Sequence, residues 1–172
     1  MKEDPRNQID DMIFHNTELL LKNYRDVVWS LEVSVFHANN SFLEEYGSTL
    51  EEFLDLSYAA GMEIEASDIA TRVKSMNRSR NMLRVIDSAV DLLRKKHRNG
   101  ELYYWILYYS YLSPQELGSI AEIVEKLSNY TKDMSRRTYF RRRDEAVLQL
   151  GRLLWGYTTK ECMEILERFF PE

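Results

Sequence analysis

Five arginines fall within eight residues in Arg136-Arg137-Thr138-Tyr139-Phe140-Arg141-Arg142-Arg143. A guanidinium is the side chain best suited to gripping phosphate, or the O6 and N7 edge of guanine, through two parallel hydrogen bonds. Ser135 precedes the run as a helix cap, and Ala146, Leu150 and Leu154 continue it at helical spacing. The arginines therefore belong to the first turns of a helix. There the macrodipole is positive, and a carboxylate would be the favourable occupant. Between Met134 and Arg152 six Arg face only Asp144 and Glu145, a net of +4. A bound polyanion would offset the cost of gathering them.

Other chemistry is sparse. His15, His37 and His97 are scattered, with no partner at metal-ligand spacing. Cys162 is the single cysteine, which excludes an intrachain disulfide, and beside Lys160 and Glu161 it reads as an inert packed residue. Asp10-Asp11 is a carboxylate pair, but adjacent residues on a helix do not face each other. No Gly-rich phosphate loop, nucleophile elbow or metalloprotease motif occurs. The chain is not expected to be an enzyme, and no cofactor or metal is expected.

The elements that must carry the arginines are helical throughout. Three Pro and six Gly in 172 residues are few for an all-β chain, and no segment alternates apolar and polar residues as a half-buried strand would. One amphipathic stripe runs from Gln8 to Glu32 through Ile9, Ile13, Leu20, Tyr24, Val27 and Leu31. A break follows from His37 to Ser48, with a short helix at Ser41 to Tyr46. Ser48 and Glu51 suggest a capping box, and Gly61 marks another break. A second long helix is expected from Ser67 to His97, its outer faces bearing Arg72, Lys74, Arg78, Arg80 and Arg84. Asn99-Gly100 suits a left-handed cap at its end. An aromatic helix then spans Glu101 to Leu112. Ser113 as N-cap, Pro114 at the first helical position and Glu116 at capping-box spacing predict a helix over Pro114 to Leu127. After the polar turn Ser128 to Asp133, the arginine helix runs from Ser135 to about Trp155. Gly156 stops it, and Thr159 caps a last short helix to Phe170, ended by Pro171.

Charge divides the chain. Residues 1–70 hold 4 Lys and Arg against 15 Asp and Glu, while residues 71–172 hold 19 against 13. An acidic half joined to a basic half suits a nucleic-acid binder that also contacts a protein. The N-terminus, Met-Lys-Glu-Asp-Pro-Arg-Asn, lacks an apolar signal core, and the apolar run Tyr103 to Leu112 is too short to span a bilayer. A cytoplasmic protein is expected, with no membrane partner.

Residues 101–156 thus read as helix, helix, turn, helix, the layout of a trihelical DNA-binding module whose last helix enters the major groove. The turn is longer than the usual three to four residues. Tyr139, Ala146, Leu150 and Leu153 or Leu154 are expected to pack on Ile120, Ile123, Val124 and Leu127. Arg136, Arg137 and Arg141 are assigned to base edges or nearby phosphates, and Arg142 and Arg143 to the DNA backbone. Thr138 and Phe140 are placed against a thymine methyl group. The competing reading is that the arginines pair with acidic neighbours, including those of the N-terminal half. The fold expected is all-α, with an N-terminal helical region (1–97) and a C-terminal helix-turn-helix module (98–172).

Three stretches resemble a known family. Ser135-Arg-Arg-Thr-Tyr-Phe-Arg-Arg-Arg-Asp-Glu-Ala146 followed by Leu150 and Leu154-Trp155-Gly156 resembles the C-terminal end of phage late-gene transcriptional regulators of the ArpU and RinA type, which are similar in turn to region four of sigma factors. Asn16-Thr17-Glu18-Leu19-Leu20-Leu21-Lys22-Asn23-Tyr24-Arg25 resembles their N-terminal helix. Asn99-Gly100-Glu101-Leu102-Tyr103-Tyr104, with Leu107-Tyr108 and Tyr111-Leu112, resembles their entry to the DNA-binding module. The resemblance implies a phage or prophage regulator of late genes, acting on double-stranded DNA with host RNA polymerase in the bacterial nucleoid. Two rivals stand beside it: a DNA-packaging or recombination accessory protein, and a helical protein-interaction module that binds no DNA.

Three features have two readings each. The aromatics from Tyr103 to Tyr111 could stack on unpaired bases, but they point to several faces and lack interleaved cations, which favours core packing. The stripe from Gln8 to Glu32 could be a homodimer seam or pack back on the Ser67–His97 helix; intrachain packing is favoured. The acidic residues Glu44, Glu45, Glu51, Glu52 and Asp55 could meet a basic partner, though a solvated face is the simpler reading.

Overall fold

The computed structural model of the chain describes residues 5–49, 52, 55, 56, 59 and 68–156. Every element among them is helical and none is a strand: α1 (Pro5–Lys22), α2 (Tyr24–Tyr46), α3 (Asp68–Lys96), α4 (Gly100–Leu107), a π-helical turn (Tyr108–Leu112), α5 (Ile120–Leu127) and α6 (Arg136–Trp155). No helix among the described residues is long and apolar enough to cross a membrane.

Several boundaries differ from those expected. The stripe from Gln8 to Glu32 is not one helix. Asn23 interrupts it, its side-chain amide donating to the Leu19 carbonyl at 2.7 Å, a local bond that competes with the helical ladder. Beyond the interruption α2 runs through Asn39-Asn40-Ser41, where a break was expected, and stops at Gly47, whose φ is +69°. Asn and Ser cost a helix only a few tenths of a kcal/mol each, roughly, so their presence does not force an end. The capping box lies one residue later than Ser48 and Glu51. The Thr49 hydroxyl accepts from the Glu52 amide at 3.2 Å, and the Glu52 carboxylate accepts from the Thr49 amide at 3.0 Å. Gly61, the Thr159 cap, Cys162 and Pro171 lie outside the described residues.

Asn99 and Gly100 do not form a left-handed cap. Asn99 has φ −105°, and Gly100 already belongs to α4. The glycine is required by closeness: a Cβ there would be driven into the carbonyl oxygens of Leu93 and Arg94. The helix expected from Pro114 begins only at Ile120, with Ser119 as its N-cap and Glu122 returning a bond to the Gly118 amide at 2.8 Å. Ser113 has another role. Its amide closes the π-helical turn onto the Tyr108 carbonyl, and its carbonyl receives Arg25 Nε at 2.8 Å. Arg25 also reaches the Ser110 carbonyl at 3.3 Å, so one guanidinium satisfies carbonyls that the turn leaves open at its C-terminal end.

The chain divides into two compact units, Met1–Arg25 with Val85–Glu172, and Asp26–Arg84. The boundary expected at residue 97 does not coincide with this division, because α1 and the last turns of α3 pack in the same unit as α6. In that first unit Leu21, Ile86, Val90, Leu93, Tyr103, Leu107, Ala146, Val147 and Leu150 form one buried cluster. A second gathers Ile106, Ile123, Leu127, Met134 and Tyr139. Near the far end of α6, Gly151 lets α1 approach; a Cβ there would lie 2.5 Å from Ile13 Cγ2 and Thr17 Oγ1. Arg152 pairs with Asp10 at 3.0 Å, and the Trp155 indole donates to Thr17 at 3.0 Å. In the second unit, Val33, His37 and Ser41 of α2 and Ser75 and Met76 of α3 line one open cleft.

Candidate nucleic-acid interface

Helix α6 begins where its sequence says it should. Ser135 is the N-cap, its hydroxyl accepting from the Thr138 amide at 3.1 Å, and Gly156, at φ +78°, follows the last turn. No acidic residue occupies the first turn. The buried line of the helix is Tyr139, Ala146, Val147, Leu150 and Gly151. This line does not pack on α5 alone, as was expected. Only Tyr139 and the half-buried Phe140 join Ile123 and Leu127; Ala146 and Leu150 join α1, α3 and α4. Leu153 is exposed, and Leu154 is the residue packed inward. α6 is longer than α5 by 12 residues (20 against 8), so the lower part of its apolar line needs other partners.

The arginines separate into two sets. Arg142 bonds Glu145 at 2.8 Å, and Tyr103 donates to the same carboxylate at 3.0 Å. Burial pushes the Glu145 carboxyl up, but the hydrogen bonds from Arg142 and Tyr103 outweigh it and hold the group below its ordinary value. Arg143 is half-buried, pairs with Asp144 at 2.6 Å, comes within 4.0 Å of Glu18, and lies 5.2 Å over the Phe140 ring. With Arg152 on Asp10, pairing with acidic neighbours holds for this set, including two partners from α1. Arg136, Arg137 and Arg141 are exposed and make no salt bridge with any described residue. Arg137 and Arg141 stand one turn apart on the face opposite the buried line. Arg136 lies at the tip, 5.8 Å from the Phe140 ring. Thr138 is partly covered and its hydroxyl bonds Ser135 at 2.9 Å. Phe140 is also partly covered, so it serves packing and the guanidiniums above it as well as any outside contact.

Residues outside this run hold the tip in place. Tyr130, the one aromatic in the polar turn before α6, stacks on Trp105 of α4 with ring centres 4.4 Å apart and planes at 16°. A hydrogen bond to Tyr109 raises the Tyr130 phenol above its ordinary pKa. The Trp105 indole donates to Glu101 at 2.9 Å, and Arg94 clamps Glu101 at 2.7 and 2.8 Å while lying 4.1 Å over Tyr104. The Arg94 bond, then the Trp105 bond, hold the Glu101 carboxyl below its ordinary value. The aromatic stretch is thus part core and part brace, with Tyr103 and Tyr111 buried and Tyr104, Trp105, Tyr108 and Tyr109 half-covered. The sequence hides its cation, because Arg94 arrives from the preceding helix. An isolated aromatic in a polar turn was the available signal for Tyr130. Lys132, exposed in that same turn, extends the unpaired cations toward the N-terminal side.

No family model, curated protein or solved structure matches this chain. The geometry of α6 and its surroundings therefore carries the functional argument. No group of three or more His, Cys, Asp or Glu among the described residues could hold a metal ion.

Proposed function

We propose that this chain binds double-stranded DNA through the N-terminal end of α6. The observation that carries the reading is the sorting of the arginines. Three on one helix are neutralised by Glu145, Asp144 and Asp10, while Arg136, Arg137 and Arg141 stay exposed, unpaired among the described residues, and next to a helix end without a carboxylate. Leaving three guanidiniums together at the positive end of a helix costs stability, and a polyanion removes that cost. Helices α4, α5 and α6 would act as a helix-turn-helix module, with α6 in the major groove, Arg137 and Arg141 toward base edges or phosphates, and Arg136 and Lys132 toward the backbone. Arg142 and Arg143 reach DNA in this reading only by exchanging their carboxylate partners for phosphate. The resemblance to phage late-gene regulators extends the proposal to transcription control beside host RNA polymerase.

The test is selection of the purified chain against a random duplex library at two salt concentrations. An enriched motif, lost in the Arg136→Ala/Arg137→Ala/Arg141→Ala variant, is the expected result. Arg141→Ala alone should cost about 1–3 kcal/mol and relax one position, whereas Arg142→Ala should weaken all sequences evenly. Salt-sensitive binding without a motif would assign a packaging or architectural role instead. Absence of binding at low salt would remove the nucleic-acid reading and leave α6 a protein-facing or structural surface.

A further inference from the structure

Helix α2 carries two apolar faces. Leu31 is buried, and Val27, Val28, Val35 and Ala38 are half-buried on one side. On the opposite side Trp29, Phe36 and Leu43 are 70%, 64% and 56% exposed. Their spacing of seven keeps them in one line, the repeat of a helix-packing seam. Single exposed apolar residues are ordinary, but three large ones in a row mark an interaction surface.

The charges around this line are one-sided. Residues 26–46 contain four carboxylates and no lysine or arginine. The first part of α3 is the reverse: residues 68–84 contain five lysines and arginines and one aspartate. On α3, Lys74, Arg78 and Met82 follow one another at four-residue spacing along a single exposed line. Among the described residues no carboxylate of α2 forms a salt bridge with a cation of α3. Among the described residues the two charge sets therefore do not neutralise each other.

We propose that a second copy of this chain docks on this face, the acidic, apolar line of α2 in each copy lying against the basic, apolar line of α3 in the other. A two-fold arrangement makes that contact twice. Pairing α2 with α2 would set Asp26, Glu32 and Glu44, which flank the exposed line, against the same three carboxylates, so the α2–α3 arrangement is the one the charges select. Burying Trp29, Phe36, Leu43 and Met82 from both copies removes on the order of 1,000 Å², before flanking side chains are counted, which is the scale of a specific interface. The contact is independent of whether α6 binds DNA.

Analytical ultracentrifugation of the full chain tests it. The wild type should show a concentration-dependent dimer. Asp26→Lys/Glu32→Lys sets lysines of α2 against Lys74 and Arg78 of α3, and Lys74→Glu/Arg78→Glu sets glutamates of α3 against Asp26 and Glu32 of α2. Each variant alone should be monomeric, while an equimolar mixture should recover a dimer with one copy of each, because both contacts become complementary again. Phe36→Ala, which changes no charge, should weaken the dimer at least tenfold. Far-UV circular dichroism confirms that each variant remains helical. A wild type that stays monomeric overturns the proposal and gives the face to another occupant. Lys74→Glu/Arg78→Glu dimerising like the wild type overturns it in favour of α2 on α2. A mixture of helical variants that stays monomeric overturns it as well.

Discussion

At the residue scale, Glu145 and Gly151 show what fixes α6. Glu145 accepts from Arg142 and Tyr103 and titrates below an ordinary carboxyl. A carboxyl whose folded pKa is lowered stabilises the fold above its unfolded value, about 4.3, and that contribution is lost as pH falls through the lower folded value. Glu145→Gln should therefore lower Tm at pH 7, and the gap to the wild type should close as the medium is acidified below about pH 4; thermal melts across pH check this. Gly151 sits where a Cβ would meet Ile13 and Thr17. Gly151→Ala should cost about 1–3 kcal/mol, read as a lower urea midpoint with an unchanged slope. The arginines themselves were legible in the sequence, but their sorting was not. Arg143 and Arg152 find Glu18 and Asp10 more than 120 residues away, and no local pattern announces such pairs.

At the element scale, α6 was readable to within a residue at both ends because its stops are local. Ser135 caps through its own side chain and Gly156 supplies the positive φ. Ser135→Ala should destabilise the fold by about 1 kcal/mol and fray the turn that carries Arg136 and Arg137. Hydrogen exchange at the Thr138 amide would report the fraying. Protection there as strong as in the wild type would mean that the Tyr130–Trp105 stack alone holds the helix start. Helix α5 starts six residues later than Ser113-Pro114 predicts, at Ile120 rather than Pro114. Ser113-Pro114 has good capping chemistry, but Ser113 is committed to closing the π-helical turn and to Arg25. The same cap signature at Ser119 prevails. Similarly, Asn39-Asn40 has turn character that the packing of α2 overrides.

At the scale of the whole molecule, α1 belongs with α6. The cluster around Ala146, Val147 and Leu150 is completed by Leu21 of α1 and by Ile86, Val90 and Leu93 of α3. A fragment of residues 98–172 lacks these partners and exposes the lower half of the α6 apolar line. It should show no cooperative thermal transition by circular dichroism, whereas the intact chain should melt with one. A fragment that melts cooperatively would mean that α4, α5 and α6 suffice as a core.

The sequence by itself determined the helical class, the content and position of the charge, and the two ends of α6. Those features depend on residues within a few positions of one another: periodicity, a serine hydroxyl above a helix start, a glycine able to adopt positive φ. Tertiary structure alone decided which arginines are spent and which remain free, where α1 goes, and which apolar face of α2 is covered. Salt bridges and core contacts pair residues distant in the chain, and several pairings satisfy the same local pattern. The choice among them is made by the summed burial of the whole cluster, a quantity that no single segment contains.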